Sequence, residues 1–318
     1  MAVIGTDIQK AKNVLLQEGL IGMPTETVYG LGGNALNTNA VASIFNAKNR
    51  PHFDPLILHT YHFNEIEKYV ADIPEEAVKL AKAYWPGPLT LLLKKKQLIP
   101  DLVTSGMDTV AIRIPNKPIT LKLLESLPFP LVAPSANPFG YISPTTAQHV
   151  NDQLGDKVDY ILDGGPCEVG IESTIIGFDK DGAVIHRMGG LSQEEIEQLV
   201  GQVKLKPHST SNPKAPGMLK SHYAPKKELI LGKLQALQSR FKTKRLGVIA
   251  FDKYLEGVDQ ANQVVLAPTG DLKEAAKNLF SGLRILDNQK IDLIIAEPVP
   301  DHGLGRAIND RLRRAAAK

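Results

Sequence analysis

Residues 204–226 lack hydrophobic periodicity and divide the chain into two parts with different patterns. This stretch holds four prolines, and proline interrupts helices and strands because it fixes φ and has no N–H group. A chain of 318 residues is long enough for about two domains, each with its own core. We therefore predict a first domain over residues 1–203, a linker over 204–226 and a second domain over 227–318.

The first part contains more strand patterns than helical patterns, and some strands follow one another without a helix, as STIIGF and AVIHRM do. This order is typical of a mixed sheet with helices, an α+β arrangement, rather than of a regular βαβ series. Three helix starts are also predicted. Thr6 and Gln9 have capping-box spacing, Pro144 opens a helix, and Ser192 caps the last helix of this part.

The second part alternates strands and helices. The strands are ELILG, RLGVIAF, QVVLAP and IDLIIAEPV, and a long helix, DLKEAAKNLFSGLRILDNQ, precedes the last of them. Alternation with β-branched runs predicts a small, three-layer, Rossmann-like α/β domain. The whole chain is therefore expected to be an α/β protein.

The charge is distributed unequally between the two parts. Residues 1–203 hold 16 Lys and Arg against 23 Asp and Glu, whereas residues 204–318 hold 21 against 11. The basic second part could face nucleic acid, or the two parts could attract one another. Both interpretations remain open.

Several classes of protein do not fit the sequence. Cys167 is the only cysteine, which excludes an intrachain disulfide and a multi-cysteine zinc site. No apolar run approaches the roughly 18 residues of a membrane span, and no signal peptide is evident, so a cytoplasmic location is expected. The chain also lacks a P-loop, a dinucleotide fingerprint, a zinc-protease motif and a serine nucleophile elbow.

Polar side chains follow a short buried strand in MPTETVYGLGGNA. Thr25, Glu26, Thr27 and Tyr29 precede three glycines, and such strand ends are where ligands approach a sheet. The alternative is a glycine turn with capping hydroxyl groups. This segment alone does not distinguish a binding loop from such a turn. It indicates a binding loop only together with the other polar segments described below.

Cations occur in the next polar segment, AKNRPHFDPLILH. Lys48 and Arg50 lie at a helix end on a loop stiffened by two prolines, an arrangement that suits a polyphosphate. They could equally be surface cations that complement the helix dipole, with His59 satisfied in the core.

Arg113 lies within the otherwise apolar strand VAIRIP. A buried guanidinium needs an anion, because an unpaired buried charge is unfavourable. The partner could be an internal carboxylate, Glu26 or Glu172, or the carboxylate of a ligand.

Small and hydroxylated residues follow a later strand. Ser135, Asn137 and Ser143 lie in APSANPFGYISPTT, where small side chains let backbone N–H groups approach phosphate oxygens. Further polar residues come at the next strands: Glu172, Ser173 and Arg187. Together the segments predict a site that positions anionic reactants without a protein nucleophile.

Seven segments occur in an order that resembles the YrdC-like threonylcarbamoyl-AMP synthases in their long form. They are PTETVYGLGGNA, KNRPHFDPLILH, WPGPLTLLL, VAIRIP, APSANPFGYISPT, GIESTII and HYAP, and the ending GLGRAINDRLRRAA is similar too. The resemblance covers essentially the whole chain and implies a YrdC-like twisted sheet followed by a C-terminal domain.

The resemblance implies that L-threonine, bicarbonate and ATP react to give threonylcarbamoyl-AMP and pyrophosphate. A separate transferase complex would use the product to modify tRNA beside the anticodon. Mg²⁺ would bind mainly through the ATP phosphates. By motif position, Thr27, Tyr29, His59, Arg113 and Ser173 are expected around threonine. The nucleotide is expected at Lys48, Arg50, Thr109, Ser135, Asn137, Ser143, Arg187 and Tyr223, with Lys48, Arg50 and Arg113 as the catalytic residues.

One position departs from the family, because Asp54 stands where members often have Asn. A carboxylate there would repel phosphates unless a cation neutralises it, so Asp54 is not predicted to bind the nucleotide. Two rival functions are an RNA-binding module and a carbamoyl-phosphate-dependent transferase. The acidic first part argues against the former, and the single cysteine and short chain against the latter.

The segment APGMLKSHYAP, residues 215–225, carries Met218, Lys220, His222 and Tyr223 between its prolines. A plain spacer has no need of such side chains. We expect this segment to close over the site as a lid, with Tyr223 reaching the nucleotide.

Overall fold

The computed structural model describes residues 1–206 and 222–317. Within these ranges the chain forms two sheets, so the predicted mixed α/β class is confirmed. The first sheet has eleven strands: β1 (Val3–Gly5), β2 (Ile21–Met23), β3 (Gly30–Asn34), β4 (Ile57–His59), β5 (Leu89–Lys94), β6 (Thr109–Arg113), β7 (Leu131–Val132), β8 (Tyr160–Leu162), β9 (Thr174–Asp179), β10 (Gly182–Arg187) and β11 (Lys204–Leu205).

The strand order of the first sheet is β1-β8-β2-β3-β7-β4-β6-β5-β9-β10-β11, with parallel and antiparallel neighbours. Eight helices accompany it: α1 (Ile8–Leu16), α2 (Thr38–Lys48), α3 (Phe63–Ile66), α4 (Glu75–Tyr84), α5 (Asp101–Thr104), α6 (Pro118–Ser126), α7 (Ala147–Leu154) and α8 (Gln193–Val200). Strand β11 pairs with β10 and extends this sheet two residues past position 203.

The second sheet has four parallel strands in the order β12-β15-β13-β14: β12 (Leu229–Leu231), β13 (Leu246–Ala250), β14 (Gln263–Val265) and β15 (Leu293–Ala296). Three α-helices connect or follow these strands: α9 (Leu234–Arg240), α10 (Leu272–Asp287) and α11 (Gly305–Ala316). This is the strand–helix alternation predicted for residues 227–318.

Two helix starts differ from the sequence prediction. Helix α1 is capped by Asp7, whose carboxylate accepts from the backbone N–H of Lys10, and not by Thr6. Helix α7 begins at Ala147 behind the cap Thr146, whereas Pro144 lies in the preceding loop. The capping box at Ser192 is present, with Glu195 as its partner. In both corrected cases a nearby side-chain oxygen satisfies the first N–H groups.

The two parts pack against each other through charged and apolar contacts. Arg311 pairs with Glu172, Arg306 with Glu194, and the Tyr141 hydroxyl donates to Asp287. One hydrophobic cluster joins Val28, Ile142 and Ile171 of the first part to α10, α11 and the strands of the second. The acidic first part and the basic second part therefore attract each other through ion pairs where they meet.

Candidate functional site

A cavity forms where loops after several strands of the first sheet meet His222 and Tyr223, which shortly precede the second sheet. It is lined by Thr25, Thr27, Val28, Gly30, Arg50, Ile57, His59, Arg113, Ala133, Pro134, Ser135, Glu172, Ser173, Arg187, His222 and Tyr223. Eight of the thirteen residues predicted for the site line it, from seven separate segments. The fold thus brings together residues that lie up to 196 positions apart.

Arg113 pairs with an internal carboxylate, which was one of its two possible partners; the other was the carboxylate of a ligand. Its Nη2 lies 2.6 Å from Glu26 Oε1, and its Nη1 donates to Thr27 Oγ1 at 2.8 Å. Nε donates to the carbonyl of Gly87 at 3.3 Å. A guanidinium carries five N–H groups, so these contacts fix its plane and still leave donors for a ligand carboxylate.

His59 presents a proton acceptor to the cavity. Its Nδ1 lies 3.0 Å from the carbonyl oxygen of Ile57, and because a carbonyl can only accept, Nδ1 carries the proton. Burial, helped by the charge of Arg113, lowers the pKa of His59 to about 3. The imidazole is therefore neutral near pH 7, and its Nε2 can accept a hydrogen bond from a hydroxyl or ammonium group.

Ser173 is held by two side chains. Its hydroxyl lies 2.7 Å from the hydroxyl of Thr90, and Arg187 Nη2 donates to its carbonyl at 2.9 Å and to its Oγ at 3.1 Å. Burial lowers the pKa of Arg187 to about 10, so this guanidinium stays charged near neutral pH. The cation and the hydroxyl therefore reach the cavity as one fixed pair.

Arg50 neutralises the carboxylate of Asp54, the residue that stands where family members often have Asn. Its Nη2 lies 3.0 Å from Asp54 Oδ2 and donates to the Pro55 carbonyl at 2.8 Å, and both charged side chains are buried. The ion pair removes the repulsion that an isolated carboxylate would exert on phosphates.

Lys48 lies behind the cavity wall. Its ammonium group donates to the carbonyl groups of Ser135 and Asn137, both at 2.5 Å. Burial and the charge of Arg50 lower its pKa well below the ordinary value. In this state Lys48 fixes the loop that carries Ser135.

Three other residues predicted for the site do not line the cavity and form hydrogen bonds within the protein. The Tyr29 hydroxyl donates to the Gly165 carbonyl at 2.8 Å, and Asn137 Nδ2 donates to Pro138 and Tyr141, both at 2.8 Å. The Ser143 hydroxyl donates to Glu172 Oε1 at 2.6 Å.

Thr109 is half-buried and begins β6, four residues before Arg113. Alternate side chains share a face of a strand, so Thr109 lies on the same face as Arg113. Ala111, between them, pairs in register with the cavity residue Ile57. A ligand that extends along this face from Arg113 would approach Thr109.

Glu172 connects the cavity to the second domain, a role that the sequence did not reveal. Its Oε2 accepts from Arg311 Nη2 at 3.1 Å and Nε at 3.2 Å. Burial acts to raise the pKa of Glu172, but Arg311 and then Arg187 outweigh it and hold the pKa below its ordinary value. The only sequence signal was the unusual number of charged residues in the closing helix.

Tyr223 is buried beneath α11, the helix that carries Arg311. Its ring stacks on Phe280 with centroids 5.4 Å apart, and the guanidinium carbons of Arg314 and Arg311 lie 4.9 and 5.4 Å from its centroid. Tyr223 has φ of +65°, in the left-handed region. Residues 215–221 of the expected lid, which include Met218 and Lys220, lie outside the described residues.

Within residues 1–206 and 222–317, no three His, Cys, Asp or Glu side chains group so as to hold a metal ion. The three buried carboxylates near the cavity, Glu26, Asp54 and Glu172, are each paired with an arginine. The same part of the chain contains no helix with the length and apolar character of a membrane span.

Comparison with known proteins supplies the family. A profile described as "Telomere recombination" matches residues 13–189, and one described as "Threonylcarbamoyl-AMP synthase, C-terminal domain" matches residues 191–317. The threonylcarbamoyl-AMP synthase of Pyrococcus abyssi is 44% identical and that of Bacillus subtilis 40%, over 95% and 97% of this chain and 92% of each relative.

A solved structure agrees with the sequence comparison. The crystal structure of P. abyssi Sua5 complexed with L-threonine superposes with a TM-score of 0.92 at 41% identity, covering 99% of this chain and 97% of that one. Both profiles and both full-length relatives agree with this likeness, so the chain belongs to the YrdC-like threonylcarbamoyl-AMP synthase family, in the long form with a C-terminal domain.

Proposed function

We propose that this protein is a nucleotidyltransferase that makes L-threonylcarbamoyl-AMP from L-threonine, bicarbonate and ATP and releases pyrophosphate. The observation that carries the proposal is one cavity in which Arg113, Thr27 and His59 lie together with Arg50 and Arg187. Anion-binding cations and a neutral histidine suit an amino acid and a polyphosphate. The product would serve threonylcarbamoyladenosine modification of tRNA beside the anticodon, in the cytoplasm.

Threonine fits the group around Arg113. The remaining N–H groups of Arg113 would bind its carboxylate, and Thr27 and Ser173 offer hydroxyl groups beside it. The neutral Nε2 of His59 would accept from the threonine ammonium or hydroxyl group. Tyr29 supports this group from behind through its bond to Gly165.

ATP fits the remaining cations and small residues. Arg50, Arg187 and Ser135 line the cavity, while Lys48, Asn137 and Ser143 are bonded within the loops that form its wall. Thr109 would be reached by a nucleotide that extends along the face of β6. Tyr223, near the end of the expected lid, would cover the nucleotide.

The chemistry requires no protein nucleophile. The amine form of threonine and bicarbonate condense to a carbamate with loss of water. One carbamate oxygen then attacks the α-phosphorus of ATP while the bond to pyrophosphate breaks. The protein accelerates this step by positioning the reactants and stabilising negative charge. Arg50 and Arg113, which line the cavity, are the proposed catalytic cations, and Lys48, also expected to be catalytic, would act by holding the loop that carries Ser135.

Mg²⁺ would neutralise charge on the phosphates. Because Glu26, Asp54 and Glu172 are each paired with an arginine, the chain fits an ion held mainly by ATP rather than by a protein cage.

The test is pyrophosphate release from ATP, measured with and without L-threonine and bicarbonate. We expect release only when both are present, and identification of the adenylate by mass spectrometry would complete the assignment. Release with neither, or with L-serine in place of L-threonine, would contradict the threonine assignment. The expected partners are tRNA and the transferase complex, and salt-dependent tRNA affinity without turnover would instead support an RNA-binding module.

A further inference from the structure

No described residue after Tyr223 lines the cavity, yet two arginines of the second domain reach residues beside it. Arg284 lies on α10 and Arg311 on α11, and both are buried. Their contacts converge on Ser143, one of the proposed nucleotide contacts. The second domain is therefore built into the support of the site.

Arg311 reaches Ser143 through Glu172. Its guanidinium is fully buried and donates twice to Glu172 Oε2, at 3.1 and 3.2 Å, and to the Met188 carbonyl at 2.6 Å. The other carboxylate oxygen, Oε1, accepts the Ser143 hydroxyl at 2.6 Å. A hydroxyl group whose proton is directed to one carboxylate has a fixed orientation.

Arg284 holds the backbone of the same residue. Its Nε donates to the Ser143 carbonyl at 3.3 Å, and its Nη2 donates to the Ile142 carbonyl and to Gln153 Oε1. Ser143 is thus fixed at its backbone by α10 and at its side chain, through Glu172, by α11.

The charge of Arg311 matters as much as its geometry. Glu172 lines the cavity that would receive the triphosphate, and a carboxylate there repels phosphate oxygens unless it is compensated. Arg311 compensates it from outside the cavity, through two donors to Glu172 Oε2.

We propose that Arg311 is a positioning residue for the nucleotide, which acts through Glu172 by fixing Ser143 and compensating the carboxylate. This inference rests on the proposed function, since it takes the cavity as the ATP site. It assigns to the second domain a part in nucleotide affinity without direct contact with ATP.

A matched control lies on the same helix. Arg306 pairs with Glu194 at 2.9 Å, so it also joins the second domain to the first, but its side chain is 33% exposed and neither partner lines the cavity. Arg306→Met therefore reports the loss of an ion pair between the two parts away from the cavity. The contrast between the two ligands separates positioning from packing, because positioning of the nucleotide would make Arg311→Met weaken binding of the ATP analogue more than binding of threonine.

The experiment compares full-length Arg311→Met and Arg306→Met with the unchanged protein. Calorimetry would give dissociation constants for a non-hydrolysable ATP analogue with Mg²⁺ and, separately, for L-threonine. We expect Arg311→Met to weaken binding of the analogue by about tenfold, the loss of one charged hydrogen bond, and to change threonine binding by less than about twofold. Arg306→Met should change neither.

A comparison of two further variants tests the route through Glu172 even if Arg311→Met fails to fold. Glu172→Gln and Glu172→Gln/Arg311→Met leave no buried carboxylate unpaired at this site, and we expect their dissociation constants for the analogue to agree within about twofold. An additional tenfold loss in the double variant would overturn the inference. Equal effects of Arg311→Met on both ligands, or equal effects of the two arginine variants, would overturn it too. Absence of ATP binding by the unchanged protein would instead contradict the proposed function.

Discussion

Two buried arginine–glutamate pairs adjoin the same cavity, and they are assembled differently. The pair Arg113–Glu26 lies wholly within the first domain, and its members are 87 positions apart in the sequence. The pair Arg311–Glu172 joins the two domains across 139 positions. In the first pair the arginine faces the cavity, whereas in the second the glutamate does.

This difference separates direct binding from support. Arg113 keeps donors for a ligand while Glu26 orients it, so the cation is the working group of that pair. Arg311 donates its N–H groups to Glu172, Met188 and Asp310. Because only Glu172 of the pair lines the cavity, the effect of Arg311 on a ligand passes through Glu172. Substitutions should therefore affect the two proposed substrates unequally.

The largest effect is expected for Arg113→Met. It removes the proposed carboxylate donor and leaves Glu26 buried without its partner, which costs about 3–5 kcal/mol of unfolding free energy. We expect threonine binding to be lost in calorimetry and the midpoint of urea unfolding to fall. In Glu26→Gln/Arg113→Met the stability should recover while threonine binding stays absent. Retained threonine binding in either variant would contradict the proposed role.

Tyr223→Ala should act on the other substrate. Removal of a buried ring between Phe280 and two guanidinium groups costs about 3–5 kcal/mol, and the proposed lid contact to the nucleotide is lost with it. We expect weaker binding of the ATP analogue in calorimetry and slower turnover, with threonine affinity nearly unchanged. Tyr223→Phe keeps the ring and should retain most of the affinity. Unchanged nucleotide affinity and turnover in Tyr223→Ala would contradict the lid.

Gly170→Ala tests the contact between the domains. Gly170 has φ of +79°, and a Cβ there would lie 2.4 Å from the Cα of Lys277 on α10. We expect a loss of about 3 kcal/mol, from left-handed strain and the displacement of α10, together with weaker nucleotide binding.

Gly106→Ala is its control. Gly106 has the same φ of +79°, but no described atom lies within 4 Å of a Cβ at that position. It should lose only about 1–2 kcal/mol in urea unfolding and keep nucleotide affinity. Equal losses in the two variants would show that packing against α10 is unimportant.

The smallest effect is expected from mild acid. The pKa of His59 is about 3 in the folded protein and about 6.5 when unfolded, so between these values only the unfolded state takes up the proton. Unfolding free energy should therefore fall as pH drops, by about 2 kcal/mol from pH 7 to pH 5 for this group. Burial lowers the pKa of His222 as well, which adds to the loss in the same direction.

Urea unfolding at pH 5 and pH 7 measures this dependence, and the comparison with His59→Asn isolates one histidine. The variant should lose less stability between the two pH values by about 2 kcal/mol. An identical pH dependence in the two proteins would mean that His59 takes up its proton in the folded state too.

Local patterns in the sequence predicted most strands, because apolar runs of β-branched residues need no tertiary information. Strand β3 was missed because GLGGN has the composition of a turn. Its glycines serve packing instead: a Cβ at Gly33 would lie 3.0 Å from Ile44 of α2, and one at Gly30 2.9 Å from Ala133. Only the neighbouring elements reveal that requirement.

The site was predictable where a motif is local. Resemblance placed Thr27, Arg50, His59, Arg113 and Arg187 among the candidates, and all five line the cavity. Glu172 and Arg311 as a pair were not predictable, since a contact across 139 positions depends on how two domains pack. The alternatives for Arg113 remained open for the same reason, until the fold placed Glu26 beside it.

The hydrophobic cluster that joins Val28, Ile142 and Ile171 to α10 and α11 has a consequence for cooperativity. Domains with separate cores can unfold in separate steps, whereas a core shared across the boundary couples them. Removal of the second domain would expose these three residues and leave Glu172 without Arg311. We therefore expect a single calorimetric transition with equal van't Hoff and calorimetric enthalpies: two domains in sequence, but one unit in unfolding.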